Sequence, residues 1–376
     1  MKTILLSILA IGCILFLSVC FTDGGCSESG ATTDSIRVDA SPDSIRLVFV
    51  GDVMAHSTQN MGAWHDGGDS CYNYAPALEG MKNYISSADI AVANLEVTFA
   101  GEPYTGYPAF STPQSLAVAL RDVGFDMLVT ANNHVMDRQT KGMERTVAIL
   151  DSLGIPNTGA FKDTVARQSN HPLIMEKNGF RLAFLNYTYG SNMGKPKLPA
   201  TVNYIDTLKM AADLAKAREL NADYIITCIH WGEENKIKEN ETQRRIAAFL
   251  AHNGCHLIVG AHPHMVQPIR KIAGADADSS LVAYSLGNFI SNQRWRYSDG
   301  GIALDVTLVK SDDGVQLHSH TYEPFWVVRF PDRGVQIYRM ISQSDYVANP
   351  GQYDSMSSEN KRKMIEFFDD TKQIVE

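Results

Sequence analysis

The sequence has no block of lysine and arginine. Its 33 basic residues are dispersed among 42 acidic ones, for a formal net charge of −9, which argues against DNA or RNA as a partner. It has no internal repeat and no low-complexity segment, which excludes solenoids and biased tails. The six cysteines do not form an even framework of loop residues. Cys13, Cys20 and Cys26 lie near the N-terminus, Cys71 in a loop, and Cys228 and Cys255 in apolar runs. The core is therefore expected to fold without disulfides. Beyond residue 21 no apolar run is long enough to span a bilayer.

What the chain does have begins with an export segment. Met1-Lys2 precedes an apolar stretch over residues 4–21, the charged start and apolar core of a secretory signal. Leu17-Ser18-Val19 before Cys20 loosely matches a bacterial lipobox, so Cys20 is the favoured lipidated residue, ahead of Cys13 and Cys26. An uncleaved anchor is the alternative, because the run is near the lower limit for a membrane span. Each reading exports the chain to the cell envelope and puts it at the membrane. Residues 23–43, rich in Ser, Thr, Asp and Gly, read as a flexible tether. The expected division is 1–43 leader and tether, 44–310 main domain, and 311–376 strands and a helix packing on that domain. At 376 residues and 44% hydrophobic, the chain can bury a large α/β core.

Apolar, strand-like runs recur, and most end in a polar cluster. Residues 44–50 lead to Gly51-Asp52, and 90–93 to Asn94-Leu95-Glu96. Residues 125–130 lead to Asn132-Asn133-His134, with Asp137 close behind. Residues 224–229 deliver His230-Trp231-Gly232 and then Glu233-Glu234. Residues 255–259 run into Gly260-Ala261-His262-Pro263-His264, and 280–285 into Leu286-Gly287-Asn288. Helical patterns lie between them at 74–87, 115–123 (closed by Gly124), 140–153, 205–220 and 242–253, with a terminal helix at 359–370. Asn178-Gly179 joins 172–176 to 181–187 as an antiparallel pair, and Asp312-Asp313-Gly314 does the same for 301–309 and 315–322.

Taken singly, these residues have ordinary explanations. Asp52 suits a turn or N-cap, and His262 or His264 suits a loop. His318 and His320 read as a solvated pair on one strand face, and His252 and His256 as structural. Together they carry chemistry. Two carboxylates (Asp52, Glu96), an amide oxygen (Asn133) and three imidazoles (His230, His262, His264) suit Zn, Mn or Fe(II) better than Ca. They sit at strand C-terminal ends, where open α/β sheets place their ligands. Their number exceeds one tetrahedral site, which favours two ions bridged by a carboxylate. Such a pair, about 3.5–4 Å apart, clamps a phosphoryl group and activates water for in-line attack.

The series Gly51-Asp52, Asn94-Leu95-Glu96, Ala131-Asn132-Asn133-His134 with Asp137, His230-Trp231-Gly232, Gly260-Ala261-His262-Pro263-His264 and Ser285-Leu286-Gly287-Asn288-Phe289 resembles the CapA family. That is the poly-gamma-glutamate capsule biosynthesis group of the calcineurin-like metallophosphatase superfamily, and the resemblance covers about residues 45–310. It implies a four-layer α/β/β/α sandwich with a metal site at the strand ends. Asp52 and His264 would hold a first ion, Glu96 would bridge, and Asn133, His230 and His262 would hold a second. His134 would be the catalytic acid. Asn94, Asp137, Glu234 and Asn288 would orient ligands or touch substrate. One departure from the superfamily is Met54, at the third position of Asp-x-His; a thioether is a poor ligand for such ions, and His56 is the nearby substitute. The first ion is then weakly held, and one ion would suffice. The implied function is an exported, metal-dependent phosphoesterase-like hydrolase in cell-envelope or capsule polymer metabolism, acting on an anionic envelope polymer or a phosphorylated small molecule. The alternatives are a non-hydrolytic accessory protein binding the polymer in the same pocket, and a metal-free protein whose polar loops are structural.

Overall fold

The computed structural model describes residues 43–275 and 279–375. The export signal, Cys13, Cys20 and Cys26 lie outside the described residues.

Two sheets dominate. The first runs in the order β16 (Val335–Ser342), β15 (Gly314–Asp332), β14 (Gly300–Ser311), β1 (Ser44–Val53), β2 (Ile90–Leu95), β3 (Met127–Val129), β4 (Asn157–Thr158), with β13 (Asn288–Ile290) also on β1. The second runs β11 (Ile269–Ala273), β12 (Ser279–Ala283), β10 (Leu257–Ala261), β9 (Tyr224–His230), β7 (Phe180–Thr188), β6 (Leu173–Lys177). A short pair joins β5 (Ala160–Phe161) and β8 (Thr201–Val202). β1 to β4 are parallel, as are β7, β9, β10 and β12, while β6, β11 and β14 to β16 are antiparallel to their neighbours.

The period-2 alternation of the strands explains the layering. Leu47, Phe49, Ile90, Val92 and Met127 of the first sheet meet Leu182, Phe184, Ile226, Leu257 and Val259 of the second in one buried cluster. The intervening Val48, Val50, Ala91 and Ala93 face α1 (Ser57–Asp66), α2 (Ala75–Ser86) and α3 (Ser115–Val123). Ala183, Leu185, Ile225, Ile229 and Ile258 face α6 (Thr207–Glu219) and α7 (Glu241–His252) on the other side. The result is the expected α/β/β/α sandwich. Each fully buried Leu, Ile or Phe contributes about 1.5–3 kcal/mol of transfer free energy. α4 (Gln139–Ser152) sends Met143 and Val147 into a smaller cluster with Ala131, Val135 and Val202. α5 (Thr164–Asn170) is capped by Asp163, whose side chain accepts from Ala166 N. Residues 311–375 extend the first sheet through β15 and β16, followed by α8 (Gln343–Ala348) and α9 (Ser358–Val375). Met364, Phe367 and Phe368 of α9 join the inter-sheet cluster.

Local signals act where expected. Gly124 ends α3 with φ 114°, a left-handed conformation that glycine adopts without strain. Phe125 N donates to Leu120 O at 3.1 Å across that turn. Asn178-Gly179 joins β6 to β7 in antiparallel register. One expectation is corrected: His318 and His320 do not share a face. Thr307 pairs with Ser319 and Leu308 with Leu317, so a bulge at His318 shifts the alternation. His318 is exposed and His320 half-buried. No helix among the described residues is long and apolar enough to cross a membrane.

Candidate metal centre

The site forms where the C-terminal ends of parallel strands from both sheets meet. At the end of β1 the register shifts on either side of Asp52, which pairs with Asn94 of β2 and Asn288 of β13; such irregularities re-aim a side chain. Gly51 makes this possible: a Cβ there would lie 1.9 Å from the Gly287 carbonyl oxygen, so only glycine lets β1 and β13 approach. Glu96 follows β2, Asn133 and His134 follow β3, His230 ends β9, and His262 and His264 follow β10. Asn186 ties the sheets together there. Its Oδ1 accepts from Thr130 N and Ala131 N at 3.2 and 2.6 Å, while its Nδ2 donates to Cys228 O at 3.1 Å.

Ligand-type atoms converge in two overlapping groups. Asp52, Glu96 and His264 form one, and Glu96, His230 and His262 another; within each group the atoms lie within 4.8 Å of one another. Glu96 is common to both. His264 Nδ1 lies 3.0 Å from Asp52 Oδ2 and His264 Nε2 3.9 Å from Glu96 Oε1. His230 Nε2 lies 2.9 Å from Asn133 Oδ1 and 3.6 Å from Glu96 Oε1. Asn94 Nδ2 donates to Asp52 Oδ1 at 2.7 Å and lies 3.3 Å from His230 Nδ1, holding both. The six expected ligand residues, Asp52, Glu96, Asn133, His230, His262 and His264, are thus brought together, and all are buried.

The electrostatics are those of a site built for a cation. Glu96 is 0% exposed, and neither carboxylate oxygen has a hydrogen-bond partner. A buried, unpartnered carboxylate costs several kcal/mol unless a positive charge compensates it. Burial, then the charge of Asp52, push its pKa far above the carboxylate range. Burial also acts to raise Asp52, but the hydrogen bond and charge of His264, then the charge of His230, hold it well below that range. Burial, with His264 next, brings His262 down to about 3. Burial, then His262, hold His230 well below the usual imidazole value. Neutral imidazoles with free lone pairs are the form that binds divalent ions. His262 Nδ1 and Asn133 Nδ2 have no hydrogen-bond partner. His262 and His264 have φ of 101° and 59°, strained for non-glycine residues, and such strain clusters at functional sites. This donor set fits a divalent cation.

His134 stands beside these groups. Its Nδ1 lies 2.8 Å from Asp137 Oδ2, which also accepts from Phe110 N at 2.6 Å. The Phe110 ring packs edge-on to His134 and to His56. His134 N donates to Asn132 Oδ1 at 3.1 Å. Asn288 is buried: its Nδ2 donates to Ser298 O and Gln293 Oε1, both at 2.8 Å, and to His264 O at 3.4 Å, steadying the histidine turn. Glu234 is exposed and forms a third ligand-type group with His262 and His264. Met54 packs in the cluster under α1 and α2. His56 Nδ1 accepts from Asn292 N at 3.3 Å, and His56 is in none of the ligand-type groups among the described residues. The sequence reading missed Asn186, Asn132, Phe110 and Tyr189, whose ring packs 4.6 Å from His262. A polar residue late in an apolar strand was the available signal for Asn186, and the place of Asn132 in the Asn132-Asn133-His134 cluster was the signal for it; Phe110 and Tyr189 left none.

Comparisons with known proteins show the family. The chain is 25% identical to the PGA biosynthesis protein CapA of Bacillus subtilis (strain 168) over 295 residues, covering 76% of this chain and 74% of that protein. It is 27% identical to the capsule biosynthesis protein CapA of Bacillus anthracis over 270 residues, covering 67% of this chain and 61% of that protein. Among solved structures it matches the calcineurin-like phosphoesterase YfkN from Bacillus subtilis with a TM-score of 0.44 and 12% identity, over 88% of this chain and 98% of that one. The model of the bacterial capsule synthesis protein family, PGA_cap, matches residues 46–293, and the chain belongs to that family.

Proposed function

We propose that this protein is an exported, metal-dependent enzyme that hydrolyses or transfers a phosphoester or related bond in the metabolism of a capsule or envelope polymer of the poly-gamma-glutamate type. One observation carries the reading: Glu96, fully buried with neither oxygen hydrogen-bonded, lies where two ligand-type groups overlap. In this reading Asp52, Glu96 and His264 would hold one ion, and Glu96, His230, His262 and Asn133 would hold a second. When bound, the metal supplies Lewis-acid polarisation of the substrate oxygen and acidifies water.

The remaining work falls to the chain's own residues. Asp137 accepts from His134 Nδ1–H and fixes the ring, so that Nε2 can present a proton to the leaving oxygen. The buried Asp137 carboxylate offsets the charge of the doubly protonated imidazole, as an orienting carboxylate does for other catalytic histidines. Asn94 orients Asp52 and His230 together. Tyr189 beside His262 shields one flank of the centre from water. The family and the printed names of its relatives support the capsule context, and the leader supports export.

The test is turnover of phosphodiester and phosphomonoester substrates with added Mn or Zn against chelator-treated protein. Metal-stimulated turnover supports the reading. A protein that binds metal and anionic polymer yet turns over none of these favours the second reading, a binding protein using the same pocket. That alternative draws on Met54, which adds no strong ligand to the first group.

A further inference from the structure

The loop after β9 carries two adjacent glutamates with different surroundings. Glu233 Oε1 accepts from Asn240 Nδ2 at 3.3 Å. Glu234 is exposed, and its carboxylate lies within 4.8 Å of ring nitrogens of both His262 and His264. The next residue fixes this placement. Asn235 adopts φ 63°, and its N–H donates to Pro263 O at 2.9 Å. Its Oδ1 accepts from Trp295 Nε1 at 2.8 Å. Pro263 separates the two histidines, so a single backbone hydrogen bond locks the glutamate loop to the turn that carries them. On the histidine side, His262 is 3% exposed with Nδ1 unpartnered. Two imidazoles and a carboxylate whose ligand atoms lie within 4.8 Å of one another are the arrangement of ligands around a shared position.

Glu234, His262 and His264 provide three side chains, one fewer than a filled tetrahedral site. Met54 does not complete it: the thioether packs in the outer core and accepts from Ser291 Oγ at 3.8 Å. We propose that Glu234 is a metal ligand, closing from the solvent side the position it shares with His262 and His264. This goes beyond an orienting role for Glu234 and rests on the metal-centre reading above. Standing on an exposed loop, Glu234 is the ligand that an incoming anionic oxygen displaces.

The experiment uses the purified full-length protein, stripped with chelator and titrated with Mn(II), with bound metal measured by mass spectrometry and the spin environment by electron paramagnetic resonance. Glu234→Gln is expected to weaken Mn(II) binding more than 100-fold at one position and to change the Mn(II) spectrum. A residue acting only through hydrogen bonds to ligands costs about 10–100-fold. Glu233→Gln should bind as the wild type does, and equal melting temperatures of the metal-free proteins would show that the fold is intact. Wild-type affinity in Glu234→Gln, or a loss no greater than 100-fold with an unchanged spectrum, overturns the proposal while leaving the metal centre standing. A wild type that binds no Mn(II) overturns both.

Discussion

Replacing Glu96 with Gln should stabilise the metal-free protein and abolish its stabilisation by metal. The carboxylate is fully buried with neither oxygen hydrogen-bonded, and holding it there at neutral pH, by keeping the charge or by taking up a proton, costs about 3–5 kcal/mol. The amide that replaces it is also unpartnered, at about 1–3 kcal/mol. The net gain at neutral pH is then about 2 kcal/mol and at most about 4 kcal/mol. At the lower end of the usual sensitivity for large domains, about 2 °C per kcal/mol, the central value raises Tm by about 4 °C. The sign follows from the raised pKa of Glu96. The folded form binds a proton that the unfolded form has released, so the Glu96 term lowers stability as pH rises above about 4.3. Glu96→Gln removes that slope. With Mn(II) at about 1,000 times its dissociation constant, wild type gains about 4.1 kcal/mol and the variant gains little, so the order of the two melting curves inverts. Calorimetry at pH 7.5 with chelator and with Mn(II) reads both halves. A variant less stable than wild type under chelator, or equally stabilised by Mn(II), would refute the reasoning.

Three further outcomes follow from the same geometry. His134→Ala should keep its metal, because His134 bonds to Asp137, yet lose about 10²–10⁴-fold of any turnover; a metal-free variant would make His134 a ligand. Gly51→Ala should lower Tm and weaken metal binding together, since its Cβ would meet the Gly287 oxygen at 1.9 Å; unchanged metal affinity would disconnect that close approach from the site. Away from the centre, Asp213 accepts from Arg167 at 2.6 Å and Tyr187 at 2.8 Å. Burial acts to raise its pKa, but the hydrogen bond and charge of His171, then Arg167, hold it down at about 2. Its stabilisation is full above about pH 4 and is lost as pH falls through about 2. Asp213→Asn should therefore be less stable than wild type at pH 7, with the gap closing toward pH 2; a gap independent of pH would assign the effect to packing.

Much of this fold was legible because local and global signals agreed. The run Ser115–Val123 with Gly124 behind it became α3, and Asn178-Gly179 became a hairpin turn. The clusters at the ends of β1, β2, β3, β9 and β10 met in one place because parallel strands deliver their C-terminal ends to one edge. What escaped was non-local. α1 gave no helical signal because Ser57–Asp66 is polar and glycine-containing and turns only a narrow apolar face, including Ala63, toward β16. Asn186 acts on residues more than 50 positions away, a partnership no window of sequence contains. The His318 bulge depends on register against β14, which composition does not encode. Glu234 was expected to orient ligands or touch substrate, and the turn of Asn235 against Pro263 that brings it within reach of His262 and His264 exists only in the fold.

The central claim is that the buried carboxylates and histidines exist to hold metal. Its most direct test is the metal content of the purified protein and of its Glu96→Ala and His262→Ala variants, measured by mass spectrometry after removal of loosely bound ions. The account predicts one or two divalent ions per wild-type chain and their loss in both variants. Equal metal content in all three proteins, or none in the wild type after reloading with Mn or Zn, would contradict it.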